Sequence, residues 1–363
     1  MAMKVLYITG MDSTKYGGLE KYNIALAKNG INLSLVYNSI PKSEEYLNDI
    51  ENSKIQLYNV EGGYISRMIQ ILKIIVKEKP SIIHYHFGKS IYVLVPLCFV
   101  LFPRLTQIYT IHCEFPNLSK IETFLMNISF RCLDLIVCVS EGVKSGIPQR
   151  YRDSKKCVVS YLGVKKRPLK EQDLKKKLNI AENTVVLTSI GFDIDVKGYD
   201  ILAESVSRLN LMKNVPPYKI LIIGLSQPEE ESLKGILKRL KVEEYFIFVG
   251  IVDNIDDFLN ISDIYLQPSR SEAISLSIME AMQYALPIIG TNTGGIPEVC
   301  IDSINGFLFP KEDVTTFTQL MYNLICDYNL RVSLGRKSIE LSYQFSLDAS
   351  VSKLISMYHT FSK

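Results

Sequence analysis

The chain has 363 residues, of which 47% are apolar and 22% charged, and it carries a net charge of +3. That length accommodates two domains, each able to bury a core, and the apolar share excludes a disordered polymer. Its seven cysteines, at 98, 113, 132, 138, 157, 300 and 326, are scattered and form no CxxC pair, which argues against a disulfide frame or zinc site and for reduced thiols in a cytoplasm.

In chain order, Met1-Ala2-Met3 runs straight into an apolar strand at Val5–Thr9, so no signal peptide is expected. The strand meets a loop from Gly10 to Gly17-Gly18, after which a helix is predicted. A Gly-Gly turn opening a helix lets backbone N–H groups approach a diphosphate or sugar, although a plain flexible loop has the same composition. The GxGxxG spacing is missing, which disfavours a nicotinamide or flavin dinucleotide. Further strands are predicted at Asn32–Tyr37, Ile55–Val60, Ser81–His86, Gln107–His112, Leu135–Val139 and Cys157–Tyr161. Between them Tyr64–Lys79 reads as an amphipathic helix bearing Arg67, Lys73, Lys77 and Lys79. The most apolar run, Ile91–Phe102, contains Pro96 and is too short to span a bilayer. His112 closes its strand, where a lone histidine serves either packing or chemistry; His84 and His86 read as packing or supporting residues.

From Lys144 to Lys177 basic residues far outnumber Asp153, Glu171 and Asp173. A solvated interdomain segment is one reading, and peripheral contact with an anionic membrane or a pyrophosphate-bearing acceptor is the other. No recognition motif or interleaved aromatics accompany the charge, so no nucleic-acid partner is expected. Strands then resume at Thr184–Ile190, Lys219–Ile223, Phe246–Val249, Asp263–Gln267 and Leu286–Gly290. Near-continuous apolar strands alternating with helices indicate parallel sheets covered on both faces. The expected fold is α/β, with two doubly wound, Rossmann-like domains at 1–164 and 165–345 and a helical segment at 346–363. A cleft between such domains, at the carboxyl ends of their strands, is the default ligand site.

Two strand ends of the second series carry the chemistry. After Ile190 come Gly191 and then Lys197-Gly198, where a lysine beside a glycine, just before a helix, can pair with a diphosphate. After Gln267 come Pro268-Ser269-Arg270-Ser271-Glu272 and a helix opening near Ser275 that contains Glu280. A helix N-terminus presents unpaired N–H groups to a phosphate, and a carboxylate on either side accepts bonds from hydroxyls. Phosphate donors flanked by hydroxyl acceptors describe a nucleotide-sugar site.

In order, Gly17-Gly18, Thr110-Ile111-His112, Gly191 with Lys197-Gly198, Glu272 with Glu280, Gly294-Gly295-Ile296-Pro297-Glu298 and Asn305-Gly306-Phe307 resemble a family 4 glycosyltransferase over essentially the whole chain. The resemblance implies the GT-B architecture of two Rossmann-like domains facing across a cleft, with the first on the acceptor side, the second on the donor side and the final helix crossing back onto the first. It implies a retaining transfer that needs no metal or other cofactor. The donor would be a nucleotide diphosphate sugar, uridine foremost and guanosine next, and the acceptor a hydroxyl of a glycan or lipid-linked molecule in bacterial surface polysaccharide or glycolipid synthesis. Glu272 would contact the donor sugar, backbone N–H groups of Ile274, Ser275 and Leu276 its phosphates, and Glu280 the ribose. Lys197 would neutralise the leaving diphosphate, Gly17 and Gly18 would let the facing loop close on it, and His112 would lie near the reacting carbon.

Two positions depart from the family pattern. Phe192 stands where arginine is usual, with Arg270 a candidate substitute, and Ala285 stands where glycine is common before Leu-Pro. The first departure keeps open a noncatalytic, nucleotide-binding subunit; a nucleotide-sugar epimerase of the same architecture is the third reading.

Overall fold

The computed structural model describes residues 3–13, 16–88, 90–113, 118–171 and 173–362. Met1 and Ala2, ahead of the first strand, and Thr14 and Lys15 of the Gly-Gly loop lie outside the described residues. The chain divides into two compact units, Met1–Gly163 with Leu347–Lys363, and Val164–Ser346.

In the first unit, seven described strands run β1 Lys4–Ile8, β2 Asn32–Tyr37, β3 Gln56–Asn59, β4 Ile82–Tyr85, β5 Thr106–Ile111, β6 Leu135–Cys138 and β7 Cys157–Val159. They form one parallel sheet in the order β3-β2-β1-β4-β5-β6-β7. Val5, Leu6 and Tyr7 are successive residues and all fully buried, because helices cover both faces of the sheet. The last helix, Leu347–Phe361, puts Leu347, Val351, Leu354 and Tyr358 into this core at the i, i+4, i+7, i+11 spacing of one helical face. Burying side chains of that size contributes roughly 1.5–3 kcal/mol each before conformational entropy is subtracted.

The second unit holds β8 Val185–Ile190, β9 Tyr218–Ile223, β10 Phe246–Gly250, β11 Ile264–Gln267, β12 Ile288–Thr291 and β13 Gly306–Phe309. Their order is β10-β9-β8-β11-β12-β13, again parallel. The sequence pattern omits β13: the Asn305 side chain is buried against Val299 and Ile301, and the four residues after it continue as a strand beside β12. In both sheets the order reverses at an interior pair, β1/β4 and β8/β11. Loops leaving the carboxyl ends of such a pair diverge to opposite sides and leave a crevice for a ligand.

Ala285 has φ +55°. Its N–H bonds to Met282 O at 3.1 Å and that of Leu286 to Ala281 O at 3.3 Å, a Schellman ending that places alanine in the left-handed site. Ala285→Gly removes about 1 kcal/mol of strain, offset in part by the greater freedom of glycine in the unfolded chain. The melting temperature is therefore expected to stay level or rise by a few degrees in calorimetry; a clear fall would contradict the left-handed assignment.

Candidate active site

In the second unit the two loops at the strand-order reversal are built against each other. After β8, the Asp193 side chain caps a short helix, Ile194–Lys197, by accepting from Val196 N–H at 2.8 Å. Lys197 is the last residue of that turn, and Gly198 (φ +64°) redirects the chain into the helix Tyr199–Leu209. A Cβ on Gly191 would lie 2.5 Å from the Lys197 Cγ, so glycine is what lets the lysine stem lie flat over the strand end. From β11, Arg270 N–H donates to Val196 O at 2.8 Å, stitching the second loop to the first.

Lys197 and Glu272 meet at the centre of this arrangement. The ammonium Nζ lies 2.6 Å from Glu272 Oε2, and the two side chains are only 13% and 17% exposed. Gln267 Nε2 donates to the same carboxylate oxygen at 3.1 Å. Gln267 is itself 1% exposed, and its Oε1 accepts from Tyr265 Oη at 3.0 Å and from Ser275 and Ser277 Oγ at 3.4 and 3.3 Å. A buried amide at the end of an apolar strand thus fixes Glu272 and the start of the next helix together. Gln267 is easily passed over in the sequence; its signal is an amide closing the otherwise apolar and aromatic run Ile264-Tyr265-Leu266.

Ser275 caps the helix Leu276–Met282, its Oγ accepting from Ile278 N–H at 3.2 Å. Ile274 and Ser275 are buried, Leu276 opens the helix, and Glu280 follows one turn later, half-buried. The Glu272 carbonyl accepts from Gly295 N–H at 2.9 Å, joining the Gly294-Gly295 segment to the loop. Lys197, Glu272, Ile274, Ser275, Leu276 and Glu280 therefore all belong to this one region of the second unit.

Arg270 does not take over the part of an arginine at 192. Its guanidinium forks onto Asp200 at 2.9 and 2.7 Å and onto Glu312 at 2.7 and 3.1 Å, and it also donates to the Asp195 carbonyl at 2.7 Å. With two carboxylates satisfied, it clamps the loops and leaves no fork for a ligand. Phe192 is 66% exposed. Part of the basic segment is likewise structural: Arg167 pairs with Asp256, and the backbone N–H groups of Lys170 and Glu171 donate to Asp257.

In the first unit, Gly17 N–H donates to Glu20 Oε2 at 3.1 Å and Ser13 Oγ to Glu20 Oε1 at 2.8 Å, so a buried carboxylate shapes the Gly17-Gly18 turn. Glu20 was not singled out, although a glutamate three residues after a helix-opening glycine is half of a capping box. His112 follows β5 with its Nε2 2.8 Å from His86 Nδ1, and its ring stacks on Phe87 at 4.5 Å. His84, fully buried, bonds Tyr358 Oη and Thr110 Oγ1, each at 2.6 Å. Desolvation pushes the His112 imidazole down to about 3. Desolvation also holds His84 and His86 well below the ordinary range, reinforced by His112 beside His84 and by both neighbours at His86. All three rings are neutral at pH 7, and between His86 and His112 one ring donates while the other accepts. Among the described residues no group of three or more His, Cys, Asp or Glu side chains is placed to hold a metal ion.

Two family models match the chain, Glycosyltransferase Family 4 over residues 16–166 and Glycosyl transferases group 1 over residues 170–341. The N-acetyl-alpha-D-glucosaminyl L-malate synthase of Bacillus anthracis is 27% identical over 67% of this chain and 63% of its own length. This and two further relatives are matched over less than two thirds of their length, at 63%, 48% and 60%. An Escherichia coli UDP-Gal:alpha-D-GlcNAc-diphosphoundecaprenol alpha-1,3-galactosyltransferase is 23% identical over 80% of this chain and 78% of its own. Among solved structures, HepE of Anabaena in complex with UDP superposes with a TM-score of 0.83 at 18% identity, covering 99% of this chain and 100% of that one. Together with the two parallel sheets, these matches place the protein in glycosyltransferase family 4, with the GT-B fold.

Proposed function

We propose that the chain is a retaining transferase that moves a sugar from a nucleotide diphosphate sugar to a hydroxyl of a glycan or lipid-linked acceptor in bacterial surface polysaccharide or glycolipid synthesis. UDP is the leading donor nucleotide and GDP the second. The observation that carries the reading is the Lys197–Glu272 pair at the strand-order reversal of the second unit. A donor entering there exchanges that pair for two better-matched ones: the ammonium turns to the diphosphate, and the carboxylate accepts from sugar hydroxyls. N–H groups around Ile274, Ser275 and Leu276 face the phosphates, and Glu280 accepts from the ribose.

As the glycosidic bond breaks, positive charge grows at the sugar carbon and negative charge on the departing diphosphate. Lys197 and the fixed N–H groups are already oriented towards the latter, so little reorganisation accompanies the reaction. Retention follows from attack on the face the diphosphate leaves, the acceptor hydroxyl giving its proton to the leaving phosphate. No metal is invoked, because Lys197 supplies the neutralising charge. The first unit's part is the Gly17-Gly18 turn and His112, whose neutral imidazole suits a sugar hydroxyl better than an anion. Support for the donor class comes from HepE, crystallised with UDP and with UDP-glucose, and support for a lipid-linked acceptor from the name of the Escherichia coli relative. Peripheral contact with an anionic membrane is supported by the helix Tyr64–Glu78, whose exposed side carries Ile65, Ile69 and Val76 beside Lys73 and Lys77. Among the described residues, no helix is long and apolar enough to cross a membrane.

Lys197→Met is expected to lower transfer by about 10²–10³-fold, the usual cost of deleting one preorganised charge-stabilising donor. The comparison is nucleotide release from the donor with and without acceptor, in variants that keep the wild-type melting temperature; Lys197→Met/Glu272→Gln controls for a stranded carboxylate. Full activity in Lys197→Met would sink the assignment. Phe192 and the engaged Arg270 favour one second reading, a noncatalytic subunit, which predicts nucleotide binding with no turnover of any donor.

A further inference from the structure

At the carboxyl ends of β1, β2 and β3 the first unit forms a partly open cavity of about 260 Å³. Val36, Val60, Ile71 and Leu94 make its apolar wall, and Arg67 and Asn38 bring polar groups to it. Arg67 is half-buried, and its Nε is shielded from solvent without a hydrogen-bond partner. Its guanidinium has no carboxylate or carbonyl partner among the described residues. The nearest acid in sequence, Glu61, accepts instead from Asn59 Nδ2 at 2.7 Å. A shielded N–H of this kind is costly unless an acceptor meets it.

The surroundings deepen the deficit. Arg67 lies one turn into the 15-residue helix Tyr64–Glu78, whose N-terminus has neither a side-chain cap nor an acid in its first turn. The positive end of the helix and the guanidinium thus lie close together beside the apolar wall, with no carboxylate between them. One negative charge in the cavity would relieve both.

We propose that this cavity binds an oxyanion, phosphate or carboxylate, carried on a compact apolar body, with Arg67 as its recognition group. A cavity of roughly 150 Å³ holds a benzene-sized ring, so the space here takes a ring with one charged substituent. As a seat for the acceptor's anionic group the proposal rests on the transferase reading; as an anion site it stands without it.

The test uses the full chain with phenyl phosphate and benzoate as soluble probes, phenol and inorganic phosphate as controls for body and charge, and a polyprenyl phosphate in neutral-detergent micelles. Binding is read by calorimetry and by the ¹⁵Nε resonance of Arg67, in wild type, Arg67→Gln and Arg67→Lys, with UDP titrated into the same samples. Expected are binding of at least one aryl oxyanion more tightly than either control, a loss of tenfold or more in Arg67→Gln, a smaller loss in Arg67→Lys, and a shifted Nε resonance. UDP affinity should be equal in all three proteins. Tight binding of the micellar phosphate, displaced by phenyl phosphate, assigns the site to a lipid-borne acceptor; binding of the soluble probes alone assigns it to a free small anion. If neither class binds wild type, or Arg67→Gln binds equally well, the proposal fails even where UDP binds. Should Arg67→Gln not fold, the wild-type Nε resonance decides alone: a shift with phenyl phosphate upholds the site, and no shift refutes it.

Discussion

Gly198→Ala is expected to destabilise the second unit by about 4 kcal/mol and to abolish nucleotide binding wherever that unit melts. The backbone at 198 is left-handed, with φ +64°, which costs a residue bearing Cβ about 1–2 kcal/mol. The larger part is steric: an added Cβ would stand 2.1 Å from the Pro268 carbonyl oxygen and 3.2 Å from Ile201 Cδ1. The carbonyl belongs to backbone and cannot rotate away, so relief requires the β8 and β11 loops to separate. Those loops hold Lys197 and Glu272 together, and even a folded variant would have a displaced pair. Gly235→Ala provides the contrast: it lies inside the helix Gln227–Leu240 with nothing within 4 Å of its added Cβ, and should gain about 0.5–1 kcal/mol. Urea unfolding of both variants checks this, and wild-type stability in Gly198→Ala would contradict the packing described.

Acid is expected to destabilise the first unit well before its carboxylates titrate. His84 and His86 are buried and neutral, with folded-state affinities for protons far below the ordinary value of about 6.5. Above pH 6.5 neither the folded nor the unfolded chain protonates them, and stability does not depend on them. Below it the unfolded chain takes up a proton at each while the folded chain does not, so stability falls as pH falls. Each histidine then removes about 1.4 kcal/mol per pH unit, or about 3 for the two. His112, pushed down to about 3, acts in the same direction over the window from 6.5 to 3. Between pH 6.5 and 5 the expected loss is about 5 kcal/mol for the three together, and His86→Gln should make the dependence shallower. Equal urea midpoints at pH 7 and pH 5 would contradict the burial of this cluster.

Much of the architecture is legible in the sequence because a strand covered on both faces must be apolar at every position. Val5-Leu6-Tyr7 and Tyr265-Leu266 announce themselves in this way, and the residues proposed to face a ligand fall where such runs stop. Gly306–Phe309 does not, since a strand of four residues opening on glycine carries too little pattern. Roles that depend on distant partners are also hidden. Arg270 looks free for a ligand until Asp200 and Glu312, 70 and 42 residues away, close on it. His86 and His112 are 26 residues apart and meet because β4 and β5 are adjacent strands in parallel register. Pairing of this kind follows from strand order, which local sequence does not encode.

The most direct measurement is a thermal-shift panel of UDP, GDP, ADP, CDP and their sugar conjugates on the wild type and Glu280→Ala. At about 100 times its dissociation constant a ligand adds roughly 2.7 kcal/mol, which moves a chain of this size by several degrees. The account predicts a shift with one nucleoside diphosphate, UDP foremost, and a clearly smaller shift in Glu280→Ala. No shift with any nucleotide, or an equal shift in both proteins, would contradict a nucleotide-sugar site built from Lys197, Glu272 and Glu280.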